Sequence, residues 1–419
     1  MNETVTATSA SAPKCRFCSA PLRHTFVDLG MSPLCQTQIR PEQLSEMEPF
    51  FPLHVYVCES CLLVQLQEYV APDVIFSADY PYYSSYSDSW IQHAKDYVLH
   101  VMGDFGVGKN AFVVELASND GYLLQHFVER GVRCLGVEPA AGVAQAAMAK
   151  GIPTVNRFFG RNTAKELRAS NGPAQLILGN NVLAHVPDVN DFVAGVRELL
   201  ADDGFTTFEF PHLVKLMELN QFDTIYHEHF SYFSFSTVVK IFAAHGLRIF
   251  DVRELGTHGG SLRIYGCHDK AARAEHPRVR DLLAREAQGG YQKLATYLQF
   301  SDRVVRVKHA LLQFLIDARS QGKKVAGYGA PGKGNTLLNY CGIRQDFLEY
   351  TVDRNPHKQG TYTPGTRIPI LDPSALFETK PDYVLILPWN LTAEITSSMA
   401  GVRDWGGKFL IPIPEVRVV

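Results

Sequence analysis

Tyr226-His227-Glu228-His229 places a phenol, a carboxylate and two imidazoles inside an aromatic stretch, TIYHEHFSYFS, at residues 224–234. Apolar surroundings hold a histidine near neutrality and an adjacent carboxylate fixes its tautomer, so this is a proton-transfer cluster. Zinc chelation from one helix face is excluded, because H-E-x-x-H needs histidines four apart and these are two apart. A second grouping consists of thiols. Cys15-Arg16-Phe17-Cys18 and Cys58-Glu59-Ser60-Cys61 are two CxxC turns with 39 residues between them. Such turns supply four sulfurs to one tetrahedral zinc, and four thiolates leave no open position, so the metal is structural. A segment this short has little core of its own, and the metal is expected to contribute most of its folding energy. Cys35 is left over as a free cysteine. The third grouping is VVELASNDGYLL at residues 113–124, which reads as a buried strand, a turn and a helix start. An acidic strand end followed by a glycine turn brings backbone amides up to a nucleoside ligand. Glu138 ends the next strand, 23 residues after Glu115. Its two acceptor oxygens suit a pair of ribose hydroxyls.

These groups have to be positioned by a framework. At 419 residues the chain is too long for one core, so two or three domains are expected. From about 111 to 252, runs rich in Val, Ile, Leu and Phe alternate with helical stretches, the pattern of a parallel sheet covered on both faces. Ligands of such sheets sit outside the carboxyl ends of the strands. That rule selects Asn180 and Asn181, which close LILGNN to line a cofactor pocket, and His185 just beyond them, projecting into the same cleft. It also selects FEFPHL, where Glu209 and Pro211 close a strand. Residues 76–90, FSADYPYYSSYSDSW, make a poor helix and an unconvincing strand. Tyr80, Tyr82 and Tyr83 there form either a lid that stacks on a ligand or a surface loop packed on a core. Residues 272–322 read as a connecting helix pair. Next, KVAGYG runs into a glycine-rich turn and a helix beginning near Asn335. Gly327, Gly329 and Gly332 satisfy G-x-G-x-x-G, so an NAD(P)-dependent enzyme is a rival reading. A P-loop is disfavoured because Gly334 stands where Ser or Thr would ligate magnesium.

Bulk properties narrow the class. The net charge is −3 with 20% charged residues, which gives no sign of a nucleic-acid partner. Lys14, Arg23 and Arg40 are too sparse for the cysteine segment to bind one. No run of about eighteen apolar residues occurs, so no membrane span is expected. MNETVTATSASAPK has neither the basic start nor the apolar stretch of a secretory signal and is expected to fray. Paired CxxC motifs favour metal over disulfides and, with the missing signal, a cytoplasmic protein. Oligomeric state is not legible here, and a monomer is compatible with everything read.

In order along the chain, CxxC…CxxC, ELASNDG, GNNVLAH, EFPHL, YHEHFSYFS and THGGSLRIY resemble the S-adenosylmethionine (SAM)-dependent sugar C-methyltransferases. The likeness is to those acting at C-3' of nucleotide-linked 4-keto-6-deoxy sugars, and it runs from about Lys14 to the C-terminus. It implies an α/β chain with a zinc-binding unit (1–75), a central Rossmann-like SAM methyltransferase unit (76–300) and a second Rossmann-like unit (301–419) that closes over the nucleotide sugar. It further implies His229 as the base, Tyr226, Glu228 and His185 around the sugar, and Tyr80 as a lid tyrosine with Tyr82 beside it. Asn119 and Gly121 would hold the amino-acid end of SAM, Glu138 its ribose, and Glu115, Ala117, Asn180 and Asn181 the rest of the cofactor wall. Gly329, Lys333 and Asn335 would take the diphosphate at a helix N-terminus. The nucleotide is expected to be thymidine rather than guanosine. Methylation at C-5', equally alpha to the ketone, stays open.

Overall fold

The computed structural model describes residues 13–76 and 83–419. The expectations for Tyr80, Tyr82 and the tail ahead of residue 13 lie outside the described residues. In chain order the strands are β1 (His24–Ser32), β2 (Phe51–Val57), β3 (Val64–Leu66), β4 (Phe112–Leu116), β5 (Arg133–Val137), β6 (Thr154–Val155), β7 (Ala174–Asn180) and β8 (Leu200–Pro211). Then follow β9 (Ser231–Tyr232), β10 (Leu247–Leu255), β11 (Ser261–His268), β12 (Val325–Tyr328), β13 (Thr351–Val352), β14 (Ile370–Leu371), β15 (Tyr383–Ile386), β16 (Lys408–Ile411) and β17 (Arg417–Val418).

The central sheet runs β10-β11-β8-β7-β4-β5-β6. Strands β6 to β8 are parallel, as the alternating apolar pattern requires. β11 and β10 then extend the sheet antiparallel. That hairpin, built from THGGSLRIYGCH, was not foreseen in the sequence. Chain order reverses between β4 and β7, so the turns after those strands part and leave a crevice.

The C-terminal sheet runs β14-β13-β12-β15-β16-β17, parallel except for β17. Its reversal lies between β12 and β15. The helix after β12 begins at Gly332, three residues earlier than expected. Residues 272–322 hold three helices rather than two, Pro277–Gln288, Leu294–Leu298 and Phe300–Ser320. The last of these buries Phe300, Val304, Val307, Leu311, Leu315 and Ala318, an i, i+4, i+7 stripe that continues along one face.

The cysteine-bearing segment departs from expectation. β1, β2, β3 and the distant β9 form one antiparallel sheet. Its Phe26, Leu53, Val55 and Val64 are continuous with a core that includes Val304, Leu311, Leu337 and Leu385. Phe26 stacks on Phe300 with centroids 4.6 Å apart. The segment therefore borrows a core from the C-terminal half, and apolar burial supports it alongside any metal.

Candidate active site

The turn after β4 is left-handed at two non-glycine residues, Ala117 (φ 55°) and Asn119 (φ 51°), and at Gly121 (φ 78°). Left-handed non-glycine residues cost roughly 1–3 kcal/mol each unless their surroundings hold them. Glu138 supplies that hold. Its Oε2 accepts the Asn119 amide at 2.9 Å and its Oε1 the Ala140 amide at 2.8 Å. A Cβ at Gly121 would lie 2.2 Å from Ile152 Cδ1, so only glycine fits there. Beyond the turn opens a cavity of about 580 Å³. Ala117, Asn119, Tyr122 and Glu138 line it from the β4 and β5 side, with Asn180 and Asn181 from β7. Ser84 donates its amide to Asn119 Oδ1 at 2.8 Å, which ties the segment after the aromatic stretch to this turn. Tyr83 packs on Tyr86, centroids 5.7 Å apart, and is not on the cavity wall.

Two expectations for this end are corrected. Glu115 lies behind the turn and not on the wall, because it is an inward residue of a fully buried strand. Gly121 is also off the wall and serves to close the turn against Ile152. Both Glu115 oxygens are buried without a protein hydrogen bond. Burial first, then Glu138 and Asp120, push its pKa well up. A buried carboxylate without a donor is costly, which favours the protonated form of Glu115. Glu138 on the wall, the left-handed turn and the cavity beyond it fit SAM.

The same cavity continues to Tyr226, Glu228, His229, His185, His258 and Lys333. His229 Nδ1 lies 2.9 Å from the Thr224 carbonyl oxygen. A carbonyl only accepts, so Nδ1 carries the proton and Nε2 keeps its lone pair. Burial, then the neighbouring His185, hold the His229 pKa well below 6.5, so the ring is neutral at neutral pH. His185 meets it edge to face with centroids 4.7 Å apart, and Tyr226 lies tilted over it at 4.1 Å. Glu228 accepts from the buried Cys35 thiol at 3.8 Å. His227 turns away to the Pro52 carbonyl at 3.2 Å, a structural contact with the cysteine-bearing sheet.

His258 was missed. It sits in the loop ahead of β11 with φ 53°, and its Nε2 is 3.3 Å from Asn181 Nδ2. The sequence signal was THGG, but only the antiparallel hairpin brings it to the carboxyl ends of the parallel strands. Burial lowers both His185 and His258 to about 4. Glu209 is not a wall residue. It is sequestered by Arg263 and by His93 at 2.8 Å, whose ring stacks on the lining Trp90. His212 of EFPHL pairs with Glu286 at 2.8 Å.

At the C-terminal side, Lys333 reaches the cavity from the first turn of its helix, whereas Gly329 and Asn335 do not. Gly329 (φ +87°) is required by backbone shape and by Pro388, whose Cδ a Cβ would meet at 2.6 Å. Asn335 donates to the Cys35 carbonyl at 2.7 Å. A Cβ at Gly332 would meet Cys35 Sγ at 2.9 Å. Gly332 and Asn335 are thus buried against the N-terminal segment, and of the three residues expected at the diphosphate only Lys333 lines the cavity.

The four cysteines converge as expected. Cys15–Cys61 and Cys18–Cys58 sulfurs are 3.6 and 3.5 Å apart, and all four lie within 4.8 Å of one another. Zn–S bonds of about 2.3 Å give a tetrahedron edge of about 3.8 Å, so the residues fit zinc. Each turn closes on a left-handed residue, Ser19 (φ 61°) and Leu62 (φ 65°). Between the first two cysteines, Arg16 donates to the Pro187 carbonyl at 2.7 Å and also to Leu66. Asn190 Nδ2 donates to the Arg16 and Phe17 carbonyls at 3.0 and 2.9 Å. The zinc turn is thereby stitched to the loop that carries His185. No helix among the described residues is long and apolar enough to cross a membrane.

Three family models match in succession: "Putative zinc binding domain" over residues 15–76, "Methyltransferase domain" over 108–252 and "C-methyltransferase C-terminal domain" over 256–414. The chain is 38% identical over 406 residues to the C-methyltransferase NovU of Streptomyces niveus, covering 97% of this chain and 96% of that protein. Solved structures align less well. Burkholderia thailandensis 1,6-didemethyltoxoflavin-N1-methyltransferase is 19% identical with a TM-score of 0.37, covering 49% of this chain and 94% of that one. The magnesium protoporphyrin IX methyltransferase of Synechocystis is 14% identical with a TM-score of 0.33, covering 42% and 79%. Those two scores are too low to bear on the site. The motifs, the cavity beyond the β4 turn, the paired cysteine turns and a relative matched almost end to end agree: the chain belongs to the SAM-dependent C-methyltransferases.

Proposed function

We propose that the protein methylates C-3' of a nucleotide-linked 4-keto-6-deoxy sugar, thymidine-linked in preference to guanosine-linked. The observation that carries this reading is His229, a buried neutral imidazole with its acceptor nitrogen fixed by Thr224, on the wall of the cavity that also meets the SAM turn. A carbon beside a ketone is acidic because its carbanion delocalises onto oxygen. A neutral ketone carbon, by contrast, is a poor nucleophile, so the proton leaves before the methyl arrives. His229 Nε2 takes that proton. SAM supplies the methyl when bound. Ala117, Asn119, Glu138, Asn180 and Asn181 hold it, with Gly121 and Glu115 shaping the turn from behind. Tyr226, Glu228 and His185 orient the sugar, with Tyr80 and Tyr82 as lid residues. In this reading the stretches 1–75, 76–300 and 301–419 serve as zinc, cofactor and substrate units.

The test is to incubate the protein with SAM and dTDP-4-keto-6-deoxyglucose and to locate the new carbon by NMR. One added methyl at C-3' is expected, and loss of about 10²–10⁴ in rate for His229→Asn with SAM binding kept. A methyl at C-5' would move the reaction to the other alpha carbon. Loss of SAM binding in the variant would make His229 structural.

A further inference from the structure

We infer that the Lys333 ammonium, rather than a histidine or tyrosine donor, holds the negative charge that develops on the C-4' oxygen when His229 removes the neighbouring proton, with Asp223 and Trp389 as its positioning residues. This rests on the reaction proposed above. Lys333 lies in the first turn of the helix Gly332–Cys341, where the C-terminal sheet reverses order, and it enters the cavity that His229, His185 and His258 also line. Its aim is fixed. Nζ donates to Asn390 Oδ1 at 2.6 Å and sits 4.7 Å from the Trp389 ring centroid. Trp389 in turn donates Nε1–H to Asp223 Oδ2 at 2.7 Å, and Asp223 is fully buried. An ammonium has three donors, and Asn390 takes one.

Three considerations separate this role from diphosphate binding. Gly332 and Gly334, whose amides would share a diphosphate, are both buried. The histidines around the cavity are neutral at neutral pH, since burial holds His185 and His258 near 4, so they bring no full charge to an oxyanion. The other lining cation among the described residues, Arg157, pairs with the exposed Glu166. A fixed charge in a desolvated site acts on a developing oxyanion far more strongly than it would in water. Burial lowers the Lys333 pKa, and Asp223, whose own pKa burial raises to about 7, opposes that shift.

The electrons balance. The C-3'–H bond breaks and the proton passes to His229 Nε2, while the bonding pair becomes the C-3'=C-4' bond and the carbonyl pair moves onto oxygen facing Lys333. The oxygen pair then re-forms the ketone as C-3' takes the methyl. The S–CH₃ pair returns to sulfur, giving S-adenosylhomocysteine (SAH). Lys333 keeps all its protons throughout.

The test is deuterium exchange at C-3' of dTDP-4-keto-6-deoxyglucose in heavy water with SAH bound, which reads enolate formation without methyl transfer. Lys333→Met is expected to lose about 10²–10³ in exchange at saturating sugar, while SAH affinity, melting temperature and sugar affinity stay within a few-fold. Asp223→Asn keeps an oxygen for Trp389 but removes the charge that supports the ammonium. The groups facing Lys333 are Asp223, His229 and His258, so this variant should shift the alkaline limb of the exchange profile to lower pH. A merely structural residue would leave that limb in place. Unchanged exchange at saturation in Lys333→Met, with sugar affinity lost, would return Lys333 to the diphosphate and overturn the inference. A wild-type protein that neither exchanges nor methylates the sugar would instead remove the proposed reaction itself.

Discussion

Replacing Glu138 by Gln isolates what this carboxylate does for the cofactor. In the protein it accepts two backbone amides, Asn119 at 2.9 Å and Ala140 at 2.8 Å. Gln keeps one acceptor oxygen and turns an NH₂ toward the other amide. One charge-assisted hydrogen bond, worth about 1.5–3 kcal/mol, is lost and the other weakens to about 1 kcal/mol. Burial already raises the Glu138 pKa, so the charged form is costly in the folded protein and its removal offsets most of that loss. Melting should therefore move by no more than about 1 kcal/mol. The bound state has no such offset, because the Asn119 turn loosens and one ribose acceptor disappears. A net loss of about 2–3 kcal/mol corresponds to a Kd about 30- to 150-fold higher. Calorimetric titration with SAH at pH 8, where product rather than reactive donor is used, reads this directly. A Kd within about threefold of wild type, in a variant with unaltered circular dichroism, would refute both the anchoring of the turn and the ribose role.

Two further outcomes follow from the geometry. Cys18→Ser, or chelation, should release zinc and lower turnover by about tenfold or more through the Arg16–Pro187 link to His185, an effect of the size seen when groups supporting a metal site are lost. Far-UV circular dichroism should persist, because Phe26 stays packed on Phe300; its collapse on chelation would restore the metal as the main source of folding energy for that sheet. Acid should destabilise the protein through His185 and His258. Their folded pKa of about 4 lies below the ordinary 6.5, so the unfolded chain binds protons first. The stability they contribute is complete above 6.5 and is lost as pH falls toward 4. At 1.36 kcal/mol per pKa unit each supplies at most ~3 kcal/mol. Melting temperature against pH checks this, and His258→Gln should flatten the slope between those values; an unchanged slope would show that other groups govern acid sensitivity.

What the sequence determined were features written within a few residues or repeated with a fixed period. The CxxC turns predicted a four-sulfur cluster, since each turn fixes its own pair of thiols. The β–turn–α pattern around residues 113–124 and the parallel order of β4 to β8 followed from apolar periodicity, and with them the meeting of Asn119, Glu138, Asn180 and Asn181 at the strand ends. His185, just after β7, and His229, just before β9 of the cysteine-bearing sheet, line the same cavity. Tertiary structure decided the rest. His258 joined the site through the antiparallel β10–β11 hairpin, a long-range pairing with no local signature. Of the expected phosphate binders Gly329, Lys333 and Asn335, the first and last take their surroundings from Pro388 and Cys35, far away in the chain. Glu115 faced inward because a residue at the end of a central strand takes its burial from neighbours on both sides. The cysteine-bearing sheet found its core in a helix almost three hundred residues later. Spacing along the chain specifies which chemical groups are available, whereas packing between distant segments decides which of them reach a common cavity.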